Sequence, residues 1–257
     1  MRDTTTPGMF IFDLDGTLVT RQQPQFTDMF LSEAERAVSA GWRLVFATSR
    51  NPVSMMRLAV PTHLRADAVV CNSAVLMNPS TGVLTPRALL NRKQINEVVK
   101  AITAISPDTE IVVSASQTGA PRHAYEIEKI APVPDIQFAV KIALGTTGHA
   151  DTFTDQLRDA LSFNAFVTSP GSRWVEVTAP GTGKAVGVAE LAAQYGIPAE
   201  RCISFGDSLN DVDVAEWAGT AVAVGDAHPR LLQIADARVD GPELDGVPRY
   251  MQDLLNR

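Results

Sequence analysis

An apolar run, Met9-Phe10-Ile11-Phe12, leads directly into Asp13-Leu14-Asp15-Gly16-Thr17. Such a run ahead of a glycine turn reads as a short buried strand. Two carboxylates two residues apart leave the end of that strand on the same side of the backbone. Gly16 then lets the chain turn sharply, because positive φ costs it little. Acids that converge at the carboxyl end of a strand repel each other unless a cation joins them. A hard, all-oxygen ligand set of this kind suits Mg²⁺. One carboxylate of the pair can serve as a nucleophile and the other as an acid and base. Taken alone, D-x-D also fits two solvated loop acids, so the rest of the chain has to decide.

The first third alternates strand and helix. Strand 9–13 is followed by a helix near 30–40 that ends at Gly41, then strand 43–47, a short helix after Pro52 and strand 67–71. This rhythm predicts a parallel sheet with right-handed crossovers. The span 82–180 reads differently: helix 92–105, strand 110–115, a strand-like segment around Ala124-Tyr125-Glu126, strand 137–143, helix 150–162 and strands 164–168 and 173–177. It is richer in strand and has longer polar connections, so it is expected to form an inserted α+β domain. Its edges are Asn78-Pro79-Ser80-Thr81-Gly82 and Ala179-Pro180-Gly181-Thr182-Gly183, both of linker composition. The first rhythm then resumes: helix 184–195, strand 202–206, helix 210–217, strand 220–224, a helix after Pro229, strand 237–239 and a helix near 247–255. The expected fold is α/β, a Rossmann-like doubly wound parallel sheet built from 1–81 and 181–257, with 82–180 as the insertion.

In an open parallel sheet, ligands bind beyond the carboxyl ends of the strands. Asp13 and Asp15 end the first strand, Thr48-Ser49-Arg50 the second, and Asn72-Ser73 the third. Gly206-Asp207-Ser208-Leu209-Asn210-Asp211 ends the strand after the insertion, and Lys184 opens the helix before it. A carboxylate, a hydroxyl, a cation and further metal-binding acids would thus meet in one crevice. Phosphoryl transfer needs this set, because the charge on the transferred group must be offset and in-line attack held in place. Each residue alone has a plainer reading: Thr48 as a strand-end hydroxyl bonded to backbone, Lys184 and Arg50 as solvated surface groups, Asp207 and Asp211 as helix caps.

Together these four signatures resemble the haloacid dehalogenase-like superfamily of aspartate-nucleophile phosphatases. The insertion resembles the α/β cap of the Cof-type members, which act mostly on sugar phosphates and similar small esters. The resemblance implies that Asp13 is the nucleophile and becomes an aspartyl phosphate. It implies that Asp15 protonates the leaving oxygen and then activates water. Thr48 and Lys184 would hold the phosphoryl group, Lys184 also pairing with Asp13. Asp13, Asp207 and the backbone carbonyl of Asp15 would bind Mg²⁺, with Asp211 orienting that site. Asn210 matches a residue that contacts phosphoryl oxygens, and Ser49, Arg50 and Asn72 match positions on the substrate side. Serine stands at 49 and 73 where the Cof-type pattern has glycine. If those glycines sit at positive φ, each serine costs on the order of 1 kcal/mol, and the added side chains narrow the crevice.

The expected activity is Mg²⁺-dependent hydrolysis of a phosphomonoester on a small phosphorylated metabolite. Its rivals are a phosphomutase on the same fold and a non-catalytic binding protein. A net charge of −7 and a pI near 5.1 argue against nucleic acid as a partner. No apolar run approaches the ~18 residues of a membrane span and no secretory leader is visible, so the expected location is the cytoplasm. The oligomeric state, monomer or dimer, is left open. Cys71 and Cys202 lie in apolar runs and read as buried thiols. Gly181-Thr182-Gly183-Lys184 lacks the further glycine and the following Ser or Thr of a phosphate-binding loop. The histidines, His63, His123, His149 and His228, have no metal-ligand spacing. From the cap, Arg122, His123 and Lys141 are candidates for contact with the leaving group.

Overall fold

The computed structural model describes residues 7–109, 111–115, 126–129, 138–145, 150–168 and 174–257. The chain opens with β1 (Met9–Phe12), α1 (Asp28–Ser39), β2 (Arg43–Ala47), α2 (Pro52–Met56), β3 (Asp67–Val70), β4 (Val75–Asn78) and β5 (Val83–Pro86). Thr27 starts α1 by accepting the Phe30 N–H at 3.1 Å, and Asn51 starts α2 in the same way from Ser54. There follow β6 (Leu90–Asn91), α3 (Arg92–Ile105), β7 (Ile111–Ala115), β8 (Glu126–Lys129), β9 (Phe138–Gly145), α4 (Ala150–Ala160), β10 (Phe166–Thr168) and β11 (Trp174–Thr178). The last third contains α5 (Lys184–Tyr195), β12 (Cys202–Gly206), α6 (Val212–Trp217), β13 (Thr220–Val224), α7 (Pro229–Ile234), β14 (Ala237–Val239) and α8 (Gly246–Leu255).

Two sheets result. The first has the order β14-β13-β12-β1-β2-β3-β4-β5, parallel as far as β3 and antiparallel through the β4–β5 hairpin. The apolar run of β1 serves both faces. Phe10 and Phe12 pack with α1 and α8 through Phe30, Ala34, Val247 and Met251. Met9 and Ile11 pack on the other face with Val188, Leu191 and Ala192 of α5. Complete burial of such side chains contributes about 1.5–3 kcal/mol each, which is why this strand tolerates no polar alternation. The sheet is thus doubly wound, as the strand–helix rhythm predicts.

The second sheet, β10-β11-β9-β7-β8 with β6 on β9, is antiparallel throughout. One face packs on α3 and α4 through Ile95, Val98, Ile102 and Leu157. The other is turned toward the carboxyl end of the first sheet, where cross-sheet hydrogen bonds meet it.

The insertion edge expected at 82 falls inside a hairpin. Asn78 accepts N–H groups from Thr81 and Gly82, and Val83–Pro86 then pairs with β4 in the first sheet. Hairpin turns and linkers draw on the same residue types, so composition alone does not separate them. The expected turn at 119–122 and the segment at 124–125 lie outside the described residues. Among the described residues, no helix is long and apolar enough to cross a membrane.

Candidate active site

β1 lies between β12 and β2, so its carboxyl end is the point where the sheet's connections diverge. Asp13 stands there, its backbone N–H bonded to the Phe205 carbonyl of β12 at 2.9 Å. Its buried carboxylate accepts from Lys184 Nζ at 2.6 Å. The same ammonium donates to Asp211 Oδ1 at 2.6 Å, and Lys184 is fully withdrawn from solvent. The other Asp211 oxygen is taken by the N–H groups of Asp207 and Ser208 and by the Ser208 hydroxyl. Asp207 accepts the Thr17 hydroxyl at 2.8 Å. Gly16, at φ 92, passes so close that an added Cβ would lie 2.4 Å from the Asp207 carboxylate. Only glycine fits the turn between the two strand ends.

Asp13, Asp207 and Asp211 each offer an oxygen within 4.8 Å of the others. Three carboxylates face one ammonium, so the cluster keeps a formal double negative charge. The acids register this deficit. Burial pushes the Asp13 carboxyl well above the usual range, opposed by Lys184 and reinforced by Asp211 and Asp207. Burial, then Asp211, pushes Asp207 up to about 7. For Lys184, burial alone would lower the ammonium, but Asp13 and Asp211 reverse that and raise it. An all-oxygen cluster that is short of positive charge fits a hard divalent cation such as Mg²⁺.

The Asp15 carboxylate is half exposed and turned away from this cluster. Arg50 grips it with two bonds, Nε to Oδ2 at 2.7 Å and a terminal nitrogen to Oδ1 at 2.6 Å. Thr48 is buried just past β2, where its hydroxyl accepts the Arg50 N–H at 3.1 Å. Asn210 is buried and lines the crevice. Asn72 is reached only indirectly: fully buried, it gives its side-chain amide N–H to Glu176 at 3.1 Å, and its side-chain Oδ1 has no partner among the described residues. Cys71, Asn72 and Ser73 are all left-handed, at φ 50, 51 and 73. Such a run stores strain, here held by bonds from the Cys71 N–H to Arg50 O, Asn72 N–H to Thr48 O and Gly183 N–H to Asn72 O. Ser73 thus occupies a glycine-type conformation. Ser49 does not, so the strain expected there is absent.

The second sheet closes the crevice. Lys141 Nζ donates to the Ser49 carbonyl at 2.8 Å and to Glu176 at 2.6 Å. The space between the sheets, about 790 Å³, is lined by Asp13, Asp15, Ser49 and Asn210 below and by Lys141, Trp174 and Glu176 above. Sequence reasoning did not single out Glu176. Its signal was an acid alternating with apolar residues in Trp174-Val175-Glu176-Val177. Asp213 was also missed: it accepts the Ala185 N–H at 3.1 Å and so caps the helix that carries Lys184. Burial, eased by that N–H, pushes its carboxyl up to about 6. Arg122 and His123 lie outside the described residues.

Comparison with known proteins identifies the family and the fold. A model of the haloacid dehalogenase-like hydrolase family matches residues 10–251. The 5-amino-6-(5-phospho-D-ribitylamino)uracil phosphatase YitU of Bacillus subtilis is 39% identical over 82 residues, 32% of this chain and only 30% of YitU. Phosphatase YwpJ of the same species is 23% identical over 287 residues, 96% of this chain and 99% of YwpJ. The subclass IIB sugar phosphatase BT4131 superposes with a TM-score of 0.76 at 18% identity, covering 96% of this chain and 98% of that one. At that identity the likeness is one of fold.

Proposed function

We propose that this chain, which belongs to the haloacid dehalogenase-like hydrolases, is a phosphomonoester hydrolase that uses Asp13 as its nucleophile. The observation that carries the reading is the buried contact between Asp13 and Lys184 at the switch point of the sheet. A carboxylate attacks phosphorus only when it is ionised and aimed, and the ammonium serves both needs.

In this reading Asp13 attacks the ester phosphorus and the bond to the leaving oxygen breaks, giving an aspartyl phosphate and an alcohol. Asp15 gives the departing oxygen its proton, then takes one from the water that cleaves the aspartyl phosphate. In the free protein Arg50 holds the Asp15 carboxylate at the rim, and in this reading Asp15 leaves that ion pair and takes up a proton before it acts as the acid. The Thr48 hydroxyl and Lys184 hold the phosphoryl oxygens, with Asn210 alongside. Asp13, Asp207 and the Asp15 carbonyl would hold Mg²⁺, with Asp211 orienting them; the ion would supply the positive charge that the transferred group and the acids lack. Lys141, Glu176 and Asn72 close the crevice around the leaving group.

Small phosphorylated metabolites suit a crevice of this size. YitU and BT4131 are named for phosphate esters of that kind. The test is rapid acid quenching of enzyme with radiolabelled acetyl phosphate and Mg²⁺. Label precipitating with the wild-type protein and absent from Asp13→Asn supports the reading; equal label on both overturns it.

A further inference from the structure

The crevice face of the second sheet is graded. Across β7 and β9, Ser114 pairs with Lys141 and Val112 with Ala143; across β9 and β11, Ala143 pairs with Glu176 and Gly145 with Trp174. The polar row of Ser114 and Lys141 lies nearest the first sheet, where Lys141 is anchored on Ser49. Four residues along β9, at about 3.3 Å each, the row of Trp174 lies on the order of 13 Å away. Val112, Ala143 and Glu176 stand between them.

Both ends of this face are prepared for a ligand. Lys141 has three N–H donors, and Ser49 and Glu176 take two of them. Among the described residues the third has no partner, and it is placed to meet an oxygen in the crevice. At the far end Trp174 lines the same space, yet is 40% exposed. Its cross-strand neighbour is Gly145, where an added Cβ would meet no described atom within 4 Å. The exposed indole therefore lies across the strand from a position that carries no side chain. A hydrogen-bonding lysine at one end and an exposed indole at the other match a molecule of the same sequence of parts.

We propose that the substrate's leaving group carries a flat ring stacked on Trp174, joined to the phosphate by a hydroxyl-bearing stretch that Lys141 reads. This rests on the phosphatase reading and narrows it, because a compact hexose phosphate would leave Trp174 uncovered. Matched esters isolate the ring: UMP against ribose 5-phosphate, and flavin mononucleotide against ribitol 5-phosphate. In wild-type protein with Mg²⁺, kcat/KM for at least one ring-bearing ester exceeds that of its ringless partner by about tenfold, the scale of a base–aromatic stack. Trp174→Ala brings that ratio close to one, mainly through KM, and Trp174→Phe keeps most of it. No ring preference in the wild type, or a preference that survives Trp174→Ala, overturns the proposal. Calorimetric binding of the same pairs to Asp13→Asn protein requires no turnover. Ring preference in binding with no ester hydrolysed overturns the phosphatase reading alone. Hydrolysis of every ester without ring preference overturns the Trp174 assignment alone.

Discussion

Replacing Lys184 with methionine removes one charge and little volume. The ammonium is fully buried and bonded at 2.6 Å to both Asp13 and Asp211. Methionine keeps the length of the side chain but leaves buried acids with no counter-charge. Removing one partner of a buried pair costs about 3–5 kcal/mol. For a protein of this size each kcal/mol moves Tm by roughly 2–4 °C, so Lys184→Met should melt about 6–20 °C below wild type in chelator at neutral pH. The pH dependence has a definite sign. Lys184 is raised by Asp13 and Asp211 against the pull of burial. Its contribution is therefore complete below the ordinary lysine value of about 10.4 and is lost only as pH rises through the higher folded value. Burial raises the Asp13 and Asp207 carboxyls, so the folded protein takes up protons that the unfolded chain does not. The deficit of the variant should then shrink as pH falls from about 7.5 toward 5. Mg²⁺ should restore part of it at neutral pH by supplying charge to the same acids. Differential scanning fluorimetry over pH, with chelator and with Mg²⁺, reads all three effects. A neutral-pH Tm within about 2 °C of wild type, or a deficit independent of pH, would refute the charge argument.

Four further outcomes are expected. Asp13→Asn should lose essentially all turnover of acetyl phosphate while its circular dichroism stays native; a substantial residual rate would remove Asp13 as nucleophile. Asp15→Asn should slow hydrolysis by ~10²–10⁴-fold with Mg²⁺ affinity retained, because its carboxylate is held by Arg50 and lies outside the acidic cluster. Chelator should silence the enzyme and Mg²⁺ restore it, with Ca²⁺ a poor substitute because it takes more and looser ligands; full activity in excess chelator would exclude the metal mechanism. Ser73→Gly should raise stability by about 1 kcal/mol in urea unfolding, since residue 73 sits at φ 73, whereas Ser49→Gly should give no gain; equal effects at both sites would refute the strain argument.

What could be read in the sequence divides along a physical line. Asp13 and Lys184 each have a plainer reading alone, and it is their places, one at the end of an unbroken apolar strand and the other at the first turn of a helix, that mark them together. The order of strands then brings them together, as a parallel sheet must. For residues whose surroundings come from the distant sheet, the sequence names candidates such as Lys141 and Asn72 but not their partners. Lys141 reaches the Ser49 carbonyl across 92 positions of chain, and Asn72 reaches Glu176 across 104. Alternation in β11 shows that Glu176 leaves the cap's apolar face, but not that an asparagine of the other sheet will meet it. Positive φ is expected at Ser73 and at Ser49; Ser73 has it, Ser49 does not, and the extension of the left-handed run to Cys71 and Asn72 has no glycine to mark it. Its shape is imposed by Arg50, Thr48 and Gly183, each from another part of the chain. The β4–β5 hairpin was lost for the opposite reason: Asn78 to Gly82 carries a clear signal that a turn and a linker share. Local chemistry therefore reveals which groups carry charge, while contact between the sheets decides which of them line the crevice. That is why the acidic cluster around Lys184 was legible from sequence and the surroundings of Trp174 were not.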